Sequence, residues 1–347
     1  MSNIYKSHKF NTVKQTPLYY IHQMKKYQFC ISHKSIKYVI IDIYHAHLNF
    51  HKLKGGAIHM KYGIYYAYWE KEWRGDYISY VKKVKTLGFD ILEVAVADFL
   101  SQPDRYFEEL GKAAADNGVI LTGGYGPRPE HNLSSSDPSV VANGFSFYRE
   151  LFRKMDIANI RSLGGALYSY WPVDYTKPID KAGDYNRSVS NMQKLADIAG
   201  EYNIVLGMEV LNRFEGYLLN DAAEGIAFVK EVNKPNVKLM LDTFHMNIEE
   251  DSLIDAIKSA GDLLGHFHVG EANRRPPRDG RMPWKDIAAA LHEIGYNGAV
   301  VMEPFVMTGG QVGSDIKVWR KMLDDESEEK LDQDAAESVR FMRKIFE

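Results

Sequence analysis

Short apolar runs alternate with amphipathic segments from Tyr62 onward, and the alternation occurs eight times. Each run is bounded by Gly, Asp, Asn or Pro, a pattern typical of parallel strands that are buried on both faces. The predicted strands are Tyr62–Trp69, Ile91–Val96, Val119–Tyr125, Ile160–Leu167, Val205–Leu211, Val237–Asp242, Leu264–Val269 and Ala299–Phe305. Strands of this kind need helices to cover them, and the intervening segments supply the candidates.

Helical periodicity is found between the predicted strands. The predicted helices are Tyr77–Leu87, Arg105–Asn117, Asn186–Tyr202, Ala222–Val232 and Trp284–Ile294. Four of them are followed by a residue suited to a helix C terminus, namely Gly88, Gly118, Asn203 and Gly295. The charged segment Gly313–Glu347 has periodic apolar positions and predicts a closing helix.

Strand–helix alternation predicts parallel strands joined by right-handed crossovers. Eight such units from Met60 to Glu347 indicate an α/β fold of the (β/α)₈ TIM-barrel type, in one domain. An open doubly wound sheet would need a glycine-rich phosphate motif after its first strand. The first strand–helix turn instead reads AYWEKEW, so the barrel is the better prediction.

Residues 1–59 differ in composition from the remainder of the chain. They contain nine lysines, no arginine and one acidic residue (Asp42), a net charge of +8, whereas residues 60–347 carry −11 and the whole chain −3. The lysines are scattered, and no signal-peptide core or arginine-rich transit pattern appears. Because Lys54–His59 can be encoded by a ribosome-binding sequence preceding Met60, we expect 1–59 to be a disordered extension or a start-site artefact. A native mass matching all 347 residues would contradict the second possibility.

Several function classes are excluded by composition. The single cysteine, Cys30, cannot form an internal disulfide or a thiolate metal site. No apolar run reaches 18 residues, so we expect no membrane span and a cytoplasmic protein. The acidic balance of residues 60–347 argues against nucleic-acid binding, which needs clustered positive charge.

Ionisable residues lie at the carboxyl ends of four successive predicted strands, where barrel enzymes place their active groups. They are Glu209, Asp242, His268 and Glu303. A charge inside a buried strand costs several kcal/mol unless it is paired or bound to a metal. Asp242 alone has a second interpretation as a helix cap, and His266 is expected to be a hydrogen-bonded core histidine. Three carboxylates and one imidazole together predict a site for Mn²⁺, Co²⁺ or Mg²⁺.

The motifs GMEVLNRFE, MLDTFHMNIEE, GHFHVGEANR, MEPF and GGALYSYWPVD resemble those of the D-tagatose 3-epimerase family, in particular its bacterial D-psicose (D-allulose) 3-epimerases. The resemblance covers residues 60–347 and none of 1–59. It implies a metal-dependent isomerase that interconverts free ketohexoses, D-fructose and D-psicose, by C3 proton exchange through a cis-enediolate. It also implies Mn²⁺ or Co²⁺ as the cofactor and a homodimer or homotetramer.

The resemblance assigns roles to individual residues. It implies that Glu209, Asp242, His268 and Glu303 bind the metal, and that Glu209 and Glu303 also exchange the C3 proton. It further implies that Glu215, His245 and Arg274 hold the O1–O3 end of the ketose, and that Trp73, Trp171 and Phe305 form apolar contacts to it. The loop ANRRPPRDGRMPW departs from the family's glycine-richer form, and Arg278 and Asp279 there are expected to affect loop mobility or subunit contact.

Three other functions compete with this interpretation. A hydroxypyruvate or rhamnose isomerase would use the same metal and enediolate chemistry, so only substrate trials separate it. Barrel endonucleases for abasic DNA need further histidines and a basic mouth, and residues 60–347 hold five histidines and a net charge of −11. A non-catalytic sugar-binding barrel would not need both proton-transfer carboxylates.

Overall fold

The computed structural model describes residues 59–278 and 280–347, and in it eight parallel strands close into a barrel. The strands are β1 Lys61–Tyr65, β2 Ile91–Ala95, β3 Ile120–Gly124, β4 Ser162–Gly165, β5 Val205–Glu209, β6 Val237–Asp242, β7 Leu264–Val269 and β8 Ala299–Met302. Each pairs with its neighbour in the sequence, and β8 pairs with β1. The predicted TIM-barrel fold is confirmed, while the expectations for residues 1–58 and Asp279 lie outside the described residues.

Four strands end two or more residues earlier than their apolar runs predict. After β1 the chain turns into a short 3-10 helix over Tyr66–Trp69, so these aromatic residues pack beside the sheet and not within it. Strand β4 ends at Gly165, whose φ of 125° is not compatible with a continuing strand. Strands β5 and β8 likewise end at Glu209 and Met302, so apolar character continues past the barrel rim.

Helices surround the barrel in the order expected of alternating units. They are α1 Tyr77–Leu87, α2 Asp104–Asn117, α3 Pro138–Ile157, α4 Lys181–Glu201, α5 Ala222–Val232, α6 Thr243–Glu249, α7 Leu253–Ala260, α8 Trp284–Glu293, α9 Gly310–Asp315 and α10 Glu328–Phe346. The five predicted helices are present within a few residues. The sequence patterns did not single out α3, α6, α7 and α9.

The closing helix is shorter than Gly313–Glu347, because α10 begins only at Glu328 after a Ser327 cap. Its buried residues Val339, Met342 and Phe346 pack into the hydrophobic core. The predicted turn residues behave as expected, since Gly88, Gly118, Asn203 and Gly295 have positive φ angles of 103°, 61°, 56° and 67°. Among the described residues, no helix is long and apolar enough to cross a membrane.

The inside of the barrel is polar near the carboxyl ends of its strands. Phe267 on β7 is fully buried in the hydrophobic core, whereas its neighbours His266 and His268 contact Glu93 of β2 across the barrel. Successive side chains of a strand point to opposite faces, so this alternation separates the apolar layer from the polar interior. The register pairs Asp242 with His268, which places these two side chains at the same height.

Candidate metal and substrate site

Four ionisable side chains converge at the carboxyl ends of β5 to β8. One ligand atom from each of Glu209, Asp242, His268 and Glu303 lies within 4.8 Å of the others. Glu209 and Asp242 are the last residues of their strands, His268 is the penultimate residue of β7, and Glu303 directly follows β8. The predicted metal-ligand set is therefore brought together by the closure of the barrel.

The Nδ1 atom of His268 faces into this cluster. It lies 3.7 Å from Glu209 Oε1 and 3.6 Å from Glu303 Oε2, and it has no hydrogen-bond partner among the described residues. A buried ring nitrogen without a partner is uncommon, because losing its hydration is unfavourable. Three carboxylates and a free imidazole nitrogen are donors that fit Mn²⁺, Co²⁺ or Mg²⁺.

Asp242 caps a helix, as one interpretation of its sequence position predicted. Its Oδ1 accepts a hydrogen bond of 2.7 Å from the backbone N–H of Phe244 and caps α6. Its Oδ2 faces Arg274, whose Nη1 lies 3.0 Å away. The cap therefore uses only one oxygen of the carboxylate, and the role of Asp242 as a metal ligand stays a prediction.

The Arg274 guanidinium lies beside the cluster. It donates to Glu303 Oε2 at 2.8 Å, lies 3.6 Å from Glu215 Oε1, and stacks 3.9 Å from the ring of Phe244. Its backbone has a φ of 63°, an uncommon value for a residue with a side chain. Buried among carboxylates, this cation balances part of their charge.

Glu215 and His245 are connected through Asn212. The amide of Asn212 donates to Glu215 Oε1 at 3.1 Å, and its backbone N–H donates to His245 Nδ1 at 3.1 Å. Because Nδ1 accepts, the ring proton of His245 belongs on Nε2, which lies 4.0 Å from both Glu209 Oε1 and Asp242 Oδ2. Glu215, His245 and Arg274 thus line the same cavity.

Aromatic rings form one wall of the same cavity, which has a volume of about 250 Å³. Trp73 meets Trp171 and Phe305 edge-on, with ring centroids 5.9 and 6.1 Å apart. The indole of Trp73 is held by Asp315, whose Oδ2 accepts its Nε1–H at 2.7 Å. All ten predicted site residues therefore line this cavity or, for Asp242, join the ligand cluster at its base.

The electrostatic environment changes how these groups hold protons. Burial and the nearby charge of Glu303 raise the pKa of Glu209 well above its ordinary value. Although burial disfavours the charged form of His268, the carboxylates of Glu93 and Glu303 hold the pKa of that imidazole well above its ordinary value. For His245, burial lowers the pKa, which keeps the ring neutral. For Asp242, burial is opposed by Arg274 and His245, and its pKa is lowered.

Comparison with known proteins agrees with this geometry. The family described as xylose isomerase-like TIM barrels matches residues 81–345. The chain is 55% identical to D-psicose 3-epimerase of Agrobacterium fabrum over 284 residues, which are 82% of this chain and 98% of that protein. This chain belongs to the D-psicose 3-epimerase family.

Solved structures of the D-psicose 3-epimerase family superpose on most of the chain. The enzyme from Clostridium cellulolyticum H10 with D-tagatose is 53% identical, with a TM-score of 0.82 over 83% of this chain and 100% of that one. A D-psicose 3-epimerase in the presence of D-fructose is 54% identical, with a TM-score of 0.82 over 83% of this chain and 99% of that one. The alignments thus span nearly the whole length of these relatives.

One polar residue of this epimerase-family barrel was not predicted from the sequence. Glu93, in the middle of β2, is 1% exposed and contacts both His266 and His268. His266 was expected to be a core histidine; it is buried, and its Nε2 lies 3.0 Å from a carboxylate oxygen of Glu93. The sequence contained a signal that could have identified Glu93. It is an acidic residue inside the apolar run ILEVAV, which is the same feature that identified Glu209. Glu93, His266 and His268 form a second group with the composition of a metal site.

The loop after β7 packs against the chain's own last helix. Arg278 pairs through Nη2 with Asp334 and Glu337 of α10, at 2.5 and 3.1 Å, and its backbone N–H donates to Glu271. Arg278 therefore connects the loop after β7 with α10 of the same barrel. An additional role in subunit contact stays a prediction.

Proposed function

We propose that this chain is a metal-dependent ketose 3-epimerase that interconverts D-fructose and D-psicose (D-allulose). The observation that carries the proposal is the pair of carboxylates, Glu209 and Glu303, that meet at His268 inside a cavity walled by aromatic rings. Epimerisation at C3 requires one group to remove a proton beside the carbonyl and another to return a proton on the opposite face. The family membership supports the same chemistry.

In this proposal the metal is bound by Glu209, Asp242, His268 and Glu303. Mn²⁺ or Co²⁺ is the preferred ion, and Mg²⁺ is a third option. A divalent cation bound there supplies a Lewis acid that stabilises the negative charge developing on the ketose oxygens. The unpartnered Nδ1 of His268 and the oxygen-rich donor set support this assignment.

The side chains perform the proton transfers. Glu209 or Glu303 takes the C3 proton, a cis-enediolate forms, and the opposite carboxylate delivers a proton to the other face. Both carboxylates suit this role, because an acid–base group must lie within reach of the reacting carbon and Glu209 and Glu303 both line the cavity. The roles of the two carboxylates exchange when the reaction runs backwards.

The other predicted residues hold the substrate in place. Arg274, Glu215 and His245 offer donors and acceptors to the O1–O3 end of the ketose. Trp73, Trp171 and Phe305 cover the C–H faces of the sugar and exclude water from the reacting carbon. A homodimer or homotetramer stays a prediction from the resemblance, and a cytoplasmic location stays a prediction from the hydropathy of the sequence.

Incubation of Mn²⁺-loaded protein with D-fructose in D₂O tests the proposal. We expect D-psicose that carries deuterium at C3, detected by NMR and mass spectrometry, because the returned proton comes from a carboxylate that exchanges with solvent. Aldose products would assign the protein to the isomerases instead. Absence of both product and exchange at C3 would contradict a ketose-directed enzyme.

A further inference from the structure

Glu93 lies directly beneath the ligand cluster, in the interior of the barrel. Its Oε1 is 2.6 Å from His268 Nε2, on the side of the ring opposite the Nδ1 that faces the cluster. Its Oε2 accepts a hydrogen bond of 2.8 Å from Thr122 and lies 3.0 Å from His266 Nε2. All four residues are 5% exposed or less, so this carboxylate is held on both oxygens and away from solvent.

This arrangement decides which nitrogen of His268 carries the proton. A carboxylate accepts hydrogen bonds and cannot donate them, so the proton shared at 2.6 Å belongs to Nε2. In a neutral imidazole the other nitrogen then offers a lone pair, and Nδ1 points at Glu209 and Glu303. The hydrogen bond also fixes the rotation of the ring about its Cβ–Cγ bond.

A second metal ion held by Glu93, His266 and His268 is the competing interpretation of the same group. It would require His268 to lose the proton from Nε2 while Nδ1 serves the first site, so that one ring bridges two ions. The Nε2–Oε1 separation of 2.6 Å is that of a short, charge-assisted hydrogen bond. The hydrogen-bonded arrangement explains the contacts without a second ion.

We propose that Glu93 is a positioning residue that orients His268 and fixes its tautomer for the divalent cation, with Thr122 anchoring the second oxygen of Glu93. The inference rests on the metal site of the proposed function. A carboxylate that accepts from a ligating imidazole also makes that ligand more basic, and loss of such a partner commonly weakens metal binding by about 10- to 100-fold.

The test compares Mn²⁺ binding to the metal-free full-length protein and to its Glu93→Gln variant by calorimetry. We expect one Mn²⁺ per wild-type chain and a Kd at least about tenfold higher in the variant. We also expect a changed visible absorption spectrum when Co²⁺ is added, since the geometry of the imidazole ligand is altered. Asp334→Asn is the matched control, because it also turns a buried carboxylate into an amide, and its contacts are with Arg278 and Lys330.

An unchanged Kd and Co²⁺ spectrum in Glu93→Gln would overturn the inference, as would two Mn²⁺ per wild-type chain with one lost in the variant. If the variant does not fold, ¹⁵N NMR of Mg²⁺-loaded wild-type protein decides, since a proton on Nδ1 of His268 contradicts the tautomer. Wild-type protein that binds Mn²⁺ but leaves D-fructose unchanged in D₂O would contradict the proposed function alone. Wild-type protein without Mn²⁺ affinity would overturn both.

Discussion

Individual side chains in this cavity are stabilised by one another and not by solvent. Glu209, Asp242 and His268 are nearly inaccessible, and each would be unfavourable alone in an apolar interior. Arg274 and the imidazole of His268 compensate part of the carboxylate charge, and the remaining negative charge favours a divalent cation. The charges of this site therefore suit the divalent cation and the proton transfer that we propose.

Glu303→Gln is expected to abolish C3 epimerisation, because an amide of the same shape cannot take or deliver the proton. We expect kcat for D-fructose to fall by about 10²- to 10⁴-fold or more, with the circular dichroism spectrum unchanged. Glu250→Gln is a suitable control, since that carboxylate accepts from the backbone of Ala222 and does not line the cavity. Near-wild-type turnover by Glu303→Gln would refute the two-carboxylate mechanism.

Metal affinity is expected to fall as the pH is lowered. In the metal-free protein the pKa values of Glu209 and His268 are both raised, so each group keeps its proton to a higher pH than usual. A metal ligand must be deprotonated, so Mn²⁺ binding should release protons, and more of them as the pH is lowered. Calorimetry in two buffers of different ionisation enthalpy measures this release. Binding that is independent of both buffer and pH would disagree with the raised pKa values.

At the level of strands and helices, the barrel brings its charged residues together at the carboxyl ends of neighbouring strands. The register pairs Asp242 with His268, and His268 in turn with Val301, two residues before Glu303. Loops that follow the strands then add Arg274, Glu215 and the aromatic wall. Small residues are required where such loops pass close to a neighbouring strand.

Gly165, at the end of β4, is expected to be intolerant of a side chain. A Cβ there would lie 2.1 Å from the carbonyl oxygen of Tyr125, and its φ of 125° is unfavourable for other residues. Gly295 is the matched control, because it has a φ of 67° but open space around it. Gly295→Ala should therefore lower the free energy of unfolding only by the cost of a positive φ, about 1–2 kcal/mol. We expect Gly165→Ala to lower the free energy of unfolding by about 3 kcal/mol or more, measured by urea denaturation. Equal losses in the two variants would show that the contact with Tyr125 is easily relieved.

For the molecule as a whole, closure is completed by the last helix. Arg343 of α10 pairs with Asp90 at 2.9 Å and stacks 4.8 Å from the ring of Tyr62, while His292 contacts the carbonyl oxygen of Phe346 at 2.6 Å. These contacts attach the last helix to the first strand–helix unit and to the last one. They involve no residue before Lys61 among those described.

A chain that begins at Met60 is expected to keep full epimerase activity and Mn²⁺ affinity. The strands, the closing helix and all ten predicted site residues lie after this position. The alignment with the Agrobacterium fabrum enzyme covers 284 residues of this chain and 98% of that relative. Steady-state kinetics with D-fructose and Mn²⁺ calorimetry on both chain lengths measure the effect. A loss of folding or a tenfold loss of kcat/KM would assign a role to residues 1–59.

The sequence by itself determined the barrel, because eight strand–helix alternations leave few other ways to bury the apolar faces. It also predicted the cluster of Glu209, Asp242, His268 and Glu303, since these are costly charges at the ends of four successive strands, and the structure brings them together. Element boundaries were less certain, as in β1, because apolar residues that pack beside the rim resemble residues within the strand.

Only the tertiary structure decided how the charged residues pair. Glu93 meets His268 across 175 positions of sequence, and Arg274 reaches Asp242 across 32. Such pairs depend on strand register, on the closure of β8 onto β1, and on a backbone φ of 63° at Arg274. Local periodicity carries none of this information, because it describes which face a residue occupies and not which side chain stands opposite it.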